Sequence, residues 1–284
     1  ADVNNLGIAK LSLLTNKDKE AKSKFNAATI NLNAKDFQTY VDIANAYTFA
    51  PKPDFDAALE FVEKALLVNK ETPEPHIARG DIYFAEKQFV DAKRVYYETS
   101  KMFPESVTPK MKLADVYRAG NEFEEAIKMY DEVTNLDASF VDVYKELALT
   151  YADYAKFKDD KTILEKGVEN YFKYHGLIGE SLDSDNEVAA YFIKNKDYKA
   201  LEKLVRMKWY TRGDNFLMYR YGAIADFQNG KFNDAKVSID KYFDVQDKKD
   251  QILPIDYLYK GLADLETSRN EDGTFNEGVY KKSI

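Results

Sequence analysis

The chain has 284 residues, 45% of them hydrophobic and 32% charged, with a net charge of −8 and a pI near 5.1. That acidity argues against general affinity for nucleic acid or anionic membrane, both of which need clustered basic charge. Cysteine is absent, which excludes disulfides, thiolate nucleophiles and zinc–thiolate sites, and no apolar window approaches the roughly 18 residues that a membrane-spanning helix needs.

A charged fraction above the roughly 25% usual for globular chains suits an elongated array in which each unit covers only its neighbours. Glycine and proline are sparse, at 12 and 7, which favours helices over turn-rich sheets. A repeating pattern runs along the chain. The first unit, Asp2 to Lys35, carries Ala9, Ala21, Phe25 and Ala28. The second, Phe37 to Thr72, carries Tyr40, Ile43, Ala44, Tyr47, Ala58, Val62 and Ala65, with a loop at Pro51-Lys52-Pro53 about two residues longer than its neighbours'. The third, Pro73 to Ser106, places Gly80, Tyr83, Ala92, Tyr96 and Pro104 at its eighth, eleventh, twentieth, twenty-fourth and thirty-second places. The fourth, Val107 to Phe140, repeats the spacing with Leu113, Ala114, Tyr117, Ala126 and Tyr130. Short polar turns, Glu86-Lys87-Gln88 and Gly120-Asn121, separate the two helices of these units.

Val141 opens a fifth unit with Tyr144, Leu147, Ala148 and Tyr151. Its second helix is delayed by about seven residues, with Gly167, Tyr171 and Tyr174 in the small and large places. The delay predicts a restart at Leu182, and Ala189, Phe192, Tyr198 and Leu201 fall where that restart requires. Phe216 begins a seventh unit with Tyr219, Ala223, Phe232, Ala235, Ile239 and Tyr242. Pro254 begins the last, with Tyr257 and Gly261, which stops just after Phe275, Gly278 and Tyr280. A helix that short does not hold alone. The expectation is a fragment of a longer protein or an unusual terminal cap. The opening Ala1 implies that something was removed, a signal peptide among the candidates.

Packing explains the pattern. Small residues at the eighth and twentieth places let two antiparallel helices approach, and large residues three or four places away fill the space beside them. These residues and their period of about 34 resemble the tetratricopeptide-repeat family. The resemblance implies an all-α fold, a right-handed superhelical solenoid of about eight antiparallel helix pairs, the last incomplete. Residues 1–151 hold the regular repeats, and 152–284 continue the same solenoid in degenerate form.

The resemblance also implies a binding surface lined by the first helices. At the family's groove-facing places stand Asp42, Asn45, Asp81, Phe84, Met111, Asp115, Arg118 and Glu146, with Glu74, Lys112, Asp142 and Lys145 beside them. The row has an acidic bias, and Asp81 and Asp115 share the ninth place of adjacent units, where packing supplies no evident need for an acid; Leu149 and Ala190 fill it later. The partner expected is a protein or peptide bearing basic groups. A carboxylate clamp for chaperone tails is not expected, because Val41 and Thr108 stand where the family's clamp lysines belong.

Catalytic chemistry finds little support. Two histidines exist: His76 at a core-packing place and His175 at a helix C-terminus, where hydrogen bonding or positive charge is favoured. Neither has a paired ligand at helical spacing, so no metal is expected, and no cofactor motif is present. Asp183-Ser184-Asp185-Asn186 opens like a calcium loop, but Val188 and Lys194 stand where Gly and Glu are needed, so it reads as a helix N-cap. Arg206 to Arg212 is basic and holds the single tryptophan, Trp209, read as a wedge at a degenerate inter-repeat turn. The leading expectation is a non-catalytic scaffold. The alternatives are an enzyme acting on glycans through inward carboxylates and a spacer or oligomerisation module. The composition fits a bacterial source and leaves both cell envelope and cytoplasm open.

Overall fold

A computed structural model describes residues 3–30, 32, 35–179, 181–211, 216–245, 252–270, 272–275 and 278, with the backbone alone at Leu182 and at residues 208–211. Among the described residues the fold is all-α, fifteen helices with one isolated antiparallel bridge between Arg269 and Phe275. The chain divides into two compact units, Ala1–Ile163 and Leu164–Ile284.

The first unit holds α1 (Val3–Leu14), α2 (Asp18–Thr29), α3 (Phe37–Thr48), α4 (Phe55–Val68), α5 (Pro73–Ala85), α6 (Phe89–Met102), α7 (Val107–Ala119), α8 (Phe123–Leu136) and α9 (Val141–Lys158). The second holds α10 (Lys161–Ile178), whose first residues precede the division, then α11 (Leu182–Lys194), α12 (Tyr198–Thr211), α13 (Leu217–Gln228), α14 (Phe232–Val245) and α15 (Pro254–Thr267). Helix starts follow the sequence register, including the predicted restart at Leu182. The delay before it arises because α9 and α10 each run 18 residues, against 12 to 14 in the other helices.

Local chemistry sets these boundaries. The Asp36 carboxylate accepts from the Thr39 backbone N–H at 3.1 Å and Asp54 from Ala57 at 3.0 Å, capping α3 and α4. Proline occupies the first turn of α5 and α15, where its missing N–H is no loss. Second helices open on an aromatic residue, Phe55, Phe89, Phe123 and Phe232, with Ala58, Ala92, Ala126 and Ala235 three residues on, all buried against the paired helix. Most turns inside a pair place one residue in the left-handed region: Asn16, Lys87, Asn121, Asp159, Lys196 and Gly230. In the Gly120-Asn121 turn it is Asn121 that takes φ +60°, while Gly120 keeps an ordinary φ of −85°.

Each unit has its own apolar core. In the first, Ala9, Phe25, Ile43, Tyr47, Val62 and Ile82 pack as one cluster, and Tyr96 with Leu113 forms another. The eighth-place glycine is needed here: a Cβ on Gly80 would lie 2.3 Å from the Tyr96 ring. In the second unit Ala223, Ile239, Tyr242 and Ala263 form the centre.

Candidate functional site

The first helices of successive repeats touch one another, α1 to α3, α3 to α5 and α5 to α7, so their ninth-place residues form a row. The row is tied into the fold. The Tyr96 hydroxyl donates to Asp81 at 2.5 Å, and Lys112 of the next repeat reaches the same carboxylate at 2.9 Å. The Tyr130 hydroxyl donates to Asp115 at 2.6 Å. Burial holds both phenols above their ordinary pKa, reinforced by the adjacent aspartates. Burial also raises the Asp115 carboxyl, against the pull of the Tyr130 hydrogen bond. Thus the ninth-place acids answer a packing demand that the sequence did not reveal. Each sits where the twenty-fourth residue is a tyrosine; in the second repeat Val62 takes that position and the ninth residue is Asn45.

Further along, Arg118 donates to Glu146 at 2.6 Å and to Asp153 at 3.0 Å. Lys112 and Arg118 thus neutralise part of the row's acidic bias by pairing with its carboxylates. Phe84 meets Phe89 edge-on at 5.5 Å, so it packs on the second helix of its own repeat. Met111 is half-buried.

At the start of the array the row is more open. A cleft of about 410 Å³ runs between α1 and α3, lined by Lys10, Leu13, Leu14, Asp42, Asn45, Ala46, Phe49 and Ala50. Asp42 accepts from Gln38 at 3.0 Å. Phe49 is 64% exposed and Leu14 61%. The Asn45 side-chain oxygen is buried with no hydrogen-bond partner among the described residues. The candidates thus fall into two groups: Asp42 and Asn45 at the cleft, and Asp81, Asp115, Arg118 and Glu146 in the bonded row.

Elsewhere the histidines take structural places, His175 in the last turn of α10, with partners that the sequence did not reveal. His76 is half-buried and only partly in the core: it faces the Phe103 ring at 5.7 Å, with Nε2 3.0 Å from the Lys70 carbonyl oxygen. His175 is buried and donates from Nε2 to Asp185 Oδ1 at 2.8 Å, so its partner is a side chain of α11 and not its own helix end. The cap of α11 is Ser181, which exchanges hydrogen bonds with Ser184, while Asp185 lies beneath at 0% exposure. Among the described residues no group of three acids, histidines or cysteines converges as a metal site, and no helix is long and apolar enough to cross a membrane.

The second unit holds buried ion pairs that sequence reading missed. Arg220 binds Asp256 through both carboxylate oxygens, at 2.7 and 2.6 Å, and donates to the Tyr242 hydroxyl at 2.6 Å. Arg206 donates to the buried Asp226 at 2.9 Å. Burial pushes the Asp226 carboxyl up to about 6. Charged residues dispersed over two helices give no sequence period, so these pairs had no signature to find. Trp209 and the rest of its basic segment after Met207 lie outside the described side chains.

The family described as TPR repeat matches residues 114–153. The fold is that of a tetratricopeptide-repeat array, and the match marks one such repeat within it. A solved structure of the C-terminal part of a TPR repeat-containing protein from Cytophaga hutchinsonii superposes with a TM-score of 0.55 at 17% identity, covering 85% of this chain and 96% of that one. PilF of Pseudomonas aeruginosa gives 0.49 at 14% identity, over 72% and 88% of the two chains. A tetratricopeptide repeat protein from Parabacteroides merdae gives 0.47 at 15%, over 87% and 96%. The first of these speaks to the tetratricopeptide fold alone. No curated protein matches the chain.

Proposed function

We propose that this tetratricopeptide-repeat chain is a non-catalytic scaffold that binds a protein or peptide along its first helices, with the α1–α3 cleft as the entry contact. The observation that carries this reading is the cleft's composition. Exposed Leu14 and Phe49 offer apolar anchoring, Lys10 and Asp42 offer opposite charges, and Asn45 lines the wall between them. Further along, Arg118 and Glu146 extend the contact as a polar rim. A bacterial source belongs to the same reading.

The glycan-hydrolysis alternative drew on an open pair of acids. Asp81 and Asp115 are instead engaged by Tyr96, Lys112 and Tyr130, which favours binding over hydrolysis.

The test is selection from a displayed random-peptide library with the full chain, followed by affinity measurement for Asn45→Ala and Phe49→Ala. We expect enriched peptides to weaken by about 1–2 kcal/mol, five- to thirtyfold, with either change and unaltered helicity. Enriched peptides that bind both variants at native affinity would place the site elsewhere and sink this reading.

A further inference from the structure

A second cleft of about 390 Å³ lies on the turn side of the first repeats, where first helices end and second helices begin. Its walls are Leu13 from α1, Asp18 from α2, Tyr47 from α3, the 52–54 loop, Phe55 and Asp56 from α4, and Glu86 beyond α5. Of these it shares Leu13 alone with the α1–α3 cleft. The loop is the insertion that sets the second repeat apart, and it gives the cleft Lys52, Pro53 and Asp54.

Three features of this cleft point to a ligand. Asp18, Asp56 and Glu86 make no hydrogen bond or ion pair through their side chains among the described residues, and Lys52 is the one cation lining it. Asp54 is committed in part to capping α4. Tyr47 is 4% exposed, yet among the described residues no hydrogen bond reaches its hydroxyl. Its ring is fixed by Phe25 at 5.1 Å and Phe61 at 6.0 Å. Burial, with Asp54, Glu60 and Asp18 nearby, pushes the phenol up to about 12, so the hydroxyl stays protonated and sits beside the cleft's acids. The side chain lines the cleft, so its unpartnered hydroxyl is available to exchange a hydrogen bond with a ligand group there.

The carboxylates are spread around the walls and do not converge on a metal-sized point. Spread acids over apolar walls suit an extended group with an apolar stem and a broad cationic head. Guanidinium provides five N–H donors in a plane and is more weakly hydrated than ammonium. We propose that this cleft binds an arginine side chain of a partner polypeptide. The stem lies along Leu13, Pro53 and Phe55, and the guanidinium faces Asp18, Asp56, Glu86 and the Tyr47 oxygen. The inference does not rest on the α1–α3 cleft and is tested apart from it.

The probe is a fluorescein-labelled Gly-Arg-Gly-Arg-Gly peptide, titrated by anisotropy against the full chain at low and high salt, beside the same peptide with citrulline in place of arginine. Citrulline keeps the shape and loses the charge. We expect arginine-dependent binding that weakens with salt. It should fall about tenfold in the Asp18→Asn, Asp56→Asn, Glu86→Gln triple variant, whose sites are surface positions, and several-fold in Tyr47→Phe, which keeps the ring packing. Asn45→Ala and Phe49→Ala should leave it unchanged. No binding by the native chain at millimolar peptide, equal binding of the citrulline peptide, or native affinity in the triple variant would each overturn the proposal. So would calcium binding that the triple variant abolishes while the arginine peptide stays unbound.

Discussion

A tyrosine hydroxyl set against a carboxylate recurs in two consecutive repeats, Tyr96 on Asp81 and Tyr130 on Asp115. A hydrogen bond to a charged group contributes about 1.5–3 kcal/mol, and removing one partner strands the other. Asp115→Ala should therefore lower urea-unfolding stability by about that amount, while Asp115→Asn should cost less, since an amide oxygen still accepts from Tyr130. Equal and negligible losses in both would show that the pair is incidental. Asp226 offers a pH test. Its folded carboxyl titrates near 6, above the ordinary 3.8. As pH falls between those values the folded state takes up a proton that the unfolded state does not, so this residue's contribution to stability rises. The stability difference between the native chain and Asp226→Asn should shift in the native chain's favour from pH 7 to pH 4.5. A difference that stays constant would mean that Arg206 keeps the carboxyl ordinary. At this scale the sequence revealed which places hold tyrosines and acids, but not that they meet. The two partners stand fifteen positions apart on different helices, and no local rule pairs them.

At the scale of the helix pair, the small residues and the left-handed turn residues do the positioning. Gly80 lies under the Tyr96 ring, whereas nothing lies within 4 Å of a Cβ built on Gly176 in α10. Gly80→Ala should cost about 1–3 kcal/mol through overpacking. Gly176→Ala should be neutral or stabilise by up to about 1 kcal/mol, because alanine favours helix and meets no obstacle. Thermal melts of the two variants, compared with the native chain, separate the cases, and similar losses at both sites would refute the close approach. The turns were legible as polar and short. Which residue takes positive φ was not: Lys87 and Lys196 do so without the glycine or asparagine that usually marks the position, because the next helix must start where it can reach the first.

At the scale of the whole molecule, the two compact units have separate cores, which a single repeat register cannot announce. The buried His175–Asp185 contact belongs to the second. Removing the imidazole from a carboxylate at 0% exposure should cost about 2–4 kcal/mol. His175→Ala should therefore speed amide hydrogen exchange across residues 164–205 and leave residues 37–140 unchanged. Equal acceleration in both would mean that the units unfold as one.

The sequence by itself determined the helices, their order and their pairing, because a small residue at the eighth place and a large one nearby demand an antiparallel partner at a fixed distance. It carried the register through the long α9 and α10 to Leu182, since an extra stretch of helix shifts the phase without erasing it. Only the tertiary structure decided which charges are spoken for. Asp81 and Asp115 look alike in sequence to Asp18 and Asp56, yet the first two are held by tyrosines and the others face an open cleft. The difference is one of position across helices. Packing periodicity records which face of a helix is buried, while the partner of a charge depends on where a second helix places its own side chains.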